Sequence, residues 1–308
     1  MKIKVLIVAV VTAIVALTSV RAEDLDRKKL ARSIPEDIVF CIRLDLSNVR
    51  KNNEAKAILD ATEKKFNEQI RKVGEFSGLD PIDLDNIWIC VVKDKEVLIV
   101  LDGEFDPDDV LNSKVVASSV KLARPGTLVT IEMKDEQKKE LNQGTMINEK
   151  LIAFGKPDLV DKFIKNFIGG KSGWDNDGLA IMDGIAGSEG MFHIALMRMP
   201  EQEIEKKPFL GNLVNGRLEL NATEKKVSAT AKVTMKDEEK AKALKELVNG
   251  LVVLGITGEI KGEHPEIVKA IVDGLKLGSE GKTTTLSTTG IDIDMLKTLL
   301  RKKGLELE

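Results

Sequence analysis

Tyrosine is absent from the 308 residues, tryptophan occurs twice and phenylalanine nine times, so aromatic side chains make up 4% of the chain. So few rings argue against a broad stacking platform for bases or other flat ligands. A basic excess is missing too. The 47 Lys and Arg face 50 Asp and Glu, for a net charge of -3, far from the positive surface that contact with a phosphate backbone demands. The composition therefore argues against nucleic acid as a partner. Histidine and cysteine number two each, and their spacing shows no zinc pattern. What is plentiful is apolar residues at 43% and charged residues at 31%, which excludes both a disordered chain and a multi-span membrane protein and leaves enough for a full core.

Long apolar runs are scarce, with one exception. Lys2 and Lys4 precede an uncharged stretch from Val5 to Val20 that ends in Val20-Arg21-Ala22. A basic start, a short apolar run and compact residues at the -3 and -1 places before Glu23 read as a secretory signal peptide. The run is shorter than the roughly 18 residues that span a bilayer. Residues 1–22 are therefore set apart as signal peptide. The chain is expected to be exported, periplasmic or extracellular, with no membrane span after cleavage. Removing Lys2, Lys4 and Arg21 leaves the acidic residues further in excess.

Export bears on the cysteines, since an oxidising compartment lets Cys41 and Cys90 pair. Each sits in a strand-like run, Ile38-Val39-Phe40-Cys41-Ile42 and Ile87-Trp88-Ile89-Cys90-Val91, on the face opposite the isoleucines. Equal parity lets them meet across neighbouring strands. A disulfide closing that loop of about 50 residues would stabilise by roughly 4 kcal/mol in the chain-entropy model. The other reading is two small buried hydrophobes.

Along the chain, 37–45 alternates as a strand. A helix is predicted over 55–73, where Ala55, Leu59, Thr62, Phe66, Ile70 and Val73 form one apolar stripe. Residues 86–92 and 96–102 read as a hairpin. Asp106 is a helix N-cap followed by Pro107 at the first helical position. A strand over 127–133, a hairpin over 145–148 and 151–155, and a helix opened by Pro157 and stopped by Gly169-Gly170 follow. Gly170 to Gly178 is linker-like, which places a boundary between units at 23–172 and 173–308. The second half offers a short helix over 179–186, a strand over 191–199 and a hairpin of 217–220 with 227–235. A helix over 237–254, a strand over 283–287 and a closing helix over 292–303 complete it.

The best internal match sets Pro157-Asp158-Leu159-Val160 with Phe163, Ile164 and Phe167 on Pro265-Glu266-Ile267-Val268 with Ile271, Val272 and Leu275. Hairpins joined to covering helices favour an antiparallel sheet. The predicted fold class is α+β, two similar tandem units, each a mainly antiparallel sheet covered by helices. The phrase Ala153-Phe154-Gly155-Lys156-Pro157-Asp158-Leu159-Val160 and the closing Thr283-Thr284-Thr285-Leu286-Ser287 resemble segments of exported bacterial α+β proteins of unknown function. That resemblance implies an exported α+β protein and supplies no activity.

Catalytic patterns are poorly met. Gly170-Lys171-Ser172 has only the ending of a phosphate loop. Asp175-Asn176-Asp177-Gly178 resembles the middle of a calcium loop, but Gly173 and Gly184 occupy two ligand places. No Gly-x-Ser-x-Gly elbow occurs. The sharpest metal pattern is Met191, His193, Met197 and Met199, which share one parity on a predicted strand. Thioether and imidazole suit Cu(I), and length confines one ion to Met191 with His193 or to Met197 with Met199. Core methionines and a satisfied histidine are the ordinary alternative. No catalytic residue and no cofactor is assigned. The sequence thus points to a non-enzymatic binding or structural component of the bacterial cell envelope, whose partner is an envelope protein or a small ligand. The alternatives are a copper-binding envelope protein using Met191 and His193, and an enzyme with an unrecognised acidic site.

Overall fold

The computed structural model describes residues 26–53, 55–56, 77–80, 83–92, 96–135, 140–223, 225–256 and 273–295. In the first half these form α1 (Arg27–Ser33), β1 (Ile38–Asp45), α2 (Leu46–Lys51), β2 (Leu84–Val92), β3 (Val97–Gly103), α3 (Pro107–Leu111), α4 (Lys114–Ala117), β4 (Val120–Leu122), β5 (Val129–Asp135), β6 (Glu140–Asn148), β7 (Leu151–Gly155) and α5 (Pro157–Gly169). The second half supplies α6 (Asn176–Ala186), β8 (Phe192–Leu196), α7 (Glu201–Lys206), β9 (Leu213–Ala222), β10 (Lys226–Met235), α8 (Glu238–Ile256), β11 (Leu275–Glu280) and β12 (Thr283–Asp292).

All twelve strands belong to one sheet, in the order β11-β12-β10-β9-β8-β1-β2-β3-β7-β6-β5-β4, and every pairing is antiparallel. The fold class is α+β, as the hairpin spacing predicts. Outward from the seam between β1 and β8 the order reads alike on both sides: a lone strand, a hairpin, then the last strand of a second hairpin. On one side these are β1, β2-β3 and β7-β6; on the other they are β8, β9-β10 and β12-β11. The sheet is continuous across the seam, where Ile42 faces Ile194. The predicted boundary at 172/173 falls in the loop between α5 and α6.

Alternation divides the core between the two faces of the sheet. On one face Cys41, Trp88, Leu98, Val100, Ala153 and Ala195 pack under Leu30 of α1 and Ile34 just after it, Phe163 and Phe167 of α5, and Met182 and Ile185 of α6. On the other, Ile87, Ile89, Met146 and Ile152 pack with Leu46, Phe105 and Val110. β2 is buried on both faces, so it reads as a near-continuous apolar run.

Helix starts follow the predicted chemistry. Asp106 caps α3 by accepting from the Asp108 amide at 2.8 Å, with Pro107 in the first turn. The Asp175-to-Gly178 run caps α6, its Asp175 carboxylate accepting from the Gly178 amide at 2.8 Å. Gly170 stops α5 at φ 61°, a conformation that glycine adopts without steric cost.

Several expectations need correction. β8 ends at Leu196 instead of Met199, so Met197 and Met199 lie beyond the strand and the four-residue stripe is broken. Leu275, placed on a helix face by the internal match, begins β11, a strand the periodicity missed. The rest of that match, Pro265 to Val272, lies outside the described residues. So do residues 57–73 of the predicted long helix and all but the first turn of the closing helix. Among the described residues no helix is long and apolar enough to cross a membrane.

Candidate functional site

The chemistry-bearing side chains gather on the helix-covered face at the middle of the sheet. Register places them there: Arg43 of β1 lies opposite Trp88 of β2 and His193 of β8, and Asp45 lies opposite Asn86, which in turn faces Asp102 of β3. Arg43, Asp45, Asn86, Asp102 and His193 are all buried. Charged groups reach such a place only when paired and hydrogen-bonded.

Arg43 is the hub. Its Nε donates to Asn86 Oδ1 at 2.8 Å, and its Nη2 pairs with Asp45 Oδ2. Its Nη1 donates to the carbonyls of Ile185 at 2.6 Å and Ser188 at 3.2 Å. The guanidinium thus satisfies carbonyls at the C-terminal end of α6, where a cation also meets the negative end of the helix dipole. Its plane lies over the Trp88 ring at 5.5 Å. Burial draws the Arg43 guanidinium below its ordinary range, and Asp45 opposes that shift.

Asp45 anchors the other side. Oδ1 accepts from Ser47 Oγ at 2.7 Å and from the Asn48 amide at 2.9 Å, which caps α2, while Oδ2 also meets Arg27 of α1 at 3.3 Å. Asn86 relays the network onward. Because arginine only donates, Asn86 must turn its oxygen to Arg43, and its Nδ2 then donates to Asp102 Oδ1 at 3.2 Å. Asp102 Oδ2 has no hydrogen-bond partner among the described residues. Burial is the main cause that lifts this carboxyl from 3.8 to about 7, against the lowering effect of Asn86.

The predicted metal residues lie at the edge of this cluster. His193 Nε2 contacts the Gly190 carbonyl at 2.6 Å. A carbonyl only accepts, so Nε2 carries the hydrogen and Nδ1 is the nitrogen left for a ligand. Burial moves His193 below its ordinary value. Met191 is half-buried in the bend before β8. Gly190 needs to be glycine, since a Cβ there would stand 2.6 Å from Glu219 Cγ and 2.8 Å from His193 Cε1. Among the described residues no three His, Cys, Asp or Glu side chains form a metal-sized cluster. Cys41 and Cys90 are register partners on the same face, two residues along from Arg43 and Trp88, with sulfurs 3.2 Å apart and unbonded.

Sequence reasoning placed the cysteines and His193 but passed over Arg43, Asp45, Asn86 and Asp102. The available signal was parity: Arg43 and Asp45 share a face with Cys41, and Asn86 shares one with Cys90.

No family model matches the chain, and no curated protein matches it. Among solved structures, crystal forms I and IV of TP0453 each align with a TM-score of 0.48 and 8% identity over 88% of this chain, covering 96% and 95% of theirs. Crystal form III aligns with a TM-score of 0.46 and 10% identity over 88% of this chain and 97% of its own. A likeness of that size assigns neither activity nor partner.

Proposed function

We propose that this protein is an exported, non-enzymatic binding or structural component of the bacterial cell envelope. One observation carries the reading: the central polar cluster is occupied internally. Arg43 places its Nε, Nη1 and Nη2 on protein acceptors, and Asp45 is held by Arg27, Arg43, Ser47 and Asn48. These bonds join α1, α2, α6, β1 and β2, which is the work of a frame. The acidic-enzyme alternative has one feature on its side, since Asp102 protonates near neutrality as a general acid does. At 4% exposure, Asp102 is closed to a substrate.

The test is native mass spectrometry of the chain recovered from its secretory compartment, before and after denaturation. The expected result is a chain beginning at Glu23 whose partner or ligand leaves unchanged on denaturation. Recovery from the cytoplasm with residues 1–22 attached would overturn export. Release of a chemically converted ligand would overturn the non-enzymatic role. Copper at one ion per chain, lost on His193→Ala, would replace this reading with the Met191–His193 site.

A further inference from the structure

Cys41 and Cys90 stand directly opposite each other in the β1–β2 ladder. Opposed residues in an antiparallel pair have Cα atoms about 4.5 to 5.5 Å apart, inside the span a disulfide bridges. The sulfurs are already 3.2 Å apart. Closing to a bond of about 2.05 Å takes a movement of roughly 1 Å, within the reach of side-chain rotation without moving the strands. Both residues have 0% exposure beneath α1, α5 and α6. Neither an oxidant nor a reductant can touch them while those helices are docked.

Burial also raises the Cys90 thiol well above its ordinary value, so in the folded state Cys90 supplies little of the thiolate that attacks a disulfide. Exchange therefore belongs to the folding chain, before the helices close over the strands. We propose that Cys41 and Cys90 form an intramolecular disulfide by thiol–disulfide exchange during folding, and that the finished fold seals it against reduction. In the first step, one cysteine thiolate attacks an external disulfide, forms a mixed disulfide and expels one thiol. In the second, the other cysteine thiolate attacks that mixed disulfide and expels the second thiol. The two cysteines lose two electrons and two protons, and the external disulfide takes them up as two thiols. The bond staples β1 to β2 beside Arg43 and so holds the strands that carry the buried network.

The exchange is tested in vitro, apart from any question of export. The purified chain is unfolded in guanidinium chloride and refolded in a buffer of oxidised and reduced glutathione, with circular dichroism to verify the fold. It is then unfolded without reductant in the presence of a maleimide. The expected product is a monomer lighter by two hydrogen masses that takes up no maleimide. Dithiothreitol should reduce the folded protein on the order of a thousandfold more slowly than the unfolded one, because reduction must wait for opening. Two maleimide adducts after oxidative refolding, or disulfide-linked dimers in place of the internal bond, would overturn the assignment. Equal rates of reduction with and without denaturant would overturn the seal.

Discussion

β2 and β9 belong to the same hydrogen-bonded sheet, yet seven of the nine β2 residues are buried against one of ten in β9. The difference lies in the side chains. β2 reads Leu-Asp-Asn-Ile-Trp-Ile-Cys-Val-Val, with helices and loops packed on both faces. β9 sets Asn, Gly, Arg and Glu among its leucines, and β10 and β12 are rich in Thr and other small residues, so most positions of the three strands are half-buried. Ladder hydrogen bonds make one sheet, but apolar burial decides where it is stable. The centre, with β1, β2, β3 and the Arg43 network, is the region expected to open last. The β9–β12 side is expected to exchange its amide hydrogens first.

The largest effect that breaks this contrast is Arg43→Ala. It leaves Asp45 without its closest buried partner, and it strands Asn86 Oδ1 and the Ile185 and Ser188 carbonyls at the end of α6. Removing one partner of a buried ion pair costs about 3–5 kcal/mol, much of it from the charge left behind. Urea unfolding should show a loss of that size. It should also show early loss of α6 protection in hydrogen exchange, because the guanidinium is what ties that helix to β1. A loss below about 1 kcal/mol would mean that the network is not what holds the centre.

A pair of leucines sharpens the comparison at a smaller scale. Leu98 of β3 is fully buried, whereas Leu218 of β9 is only half-buried. Leu98→Ala should cost about 2–5 kcal/mol through lost burial and an unfilled cavity. Leu218→Ala should cost less than about 2 kcal/mol, since part of its surface is already in water. Equal shifts in the urea midpoint would dissolve the distinction between centre and flank.

How much of this was legible beforehand depends on the range of the interaction. Local signals carried through: Asp106-Pro107 as a cap, Gly170 as a stop, and the alternation of β1 that put Cys41 opposite Cys90. The Arg43 site was not legible as a site. Its partners at Asn86 and Ile185 lie 43 and 142 residues away, and an arginine in an alternating strand reads as a solvent-facing residue until the covering helix is known. Asp102 closes a predicted strand and looks like an ordinary turn residue, because nothing local says that it is buried against Asn86. β11 was missed because Leu275 extends the spacing of the preceding apolar stripe, and periodicity cannot mark where a helix gives way to a strand.

Asp102→Asn is expected to have the least effect at acidic pH, and it probes the centre from the opposite direction. The folded carboxyl titrates at about 7 against 3.8 for the free group, so between those values the folded protein holds a proton that the unfolded chain has released. Stability then falls as pH rises through that window and levels off above it. Arg27 and Arg43 favour the ionised form and Asp85 opposes it, but burial outweighs them. Asparagine carries no charge at any pH, and its oxygen keeps the bond from Asn86 Nδ2. Near pH 3 the carboxyl is largely protonated in both the folded and the unfolded chain, so the variant should unfold close to the wild type. From there to pH 8 the wild-type urea midpoint should decline relative to the variant's, ending with Asp102→Asn the more stable. Parallel profiles would show that Asp102 ionises in the folded protein much as it does in the open chain. Ionising the carboxyl would then neither cost nor add stability, with Arg27 and Arg43 offsetting its burial, and the centre would be a fully charged frame.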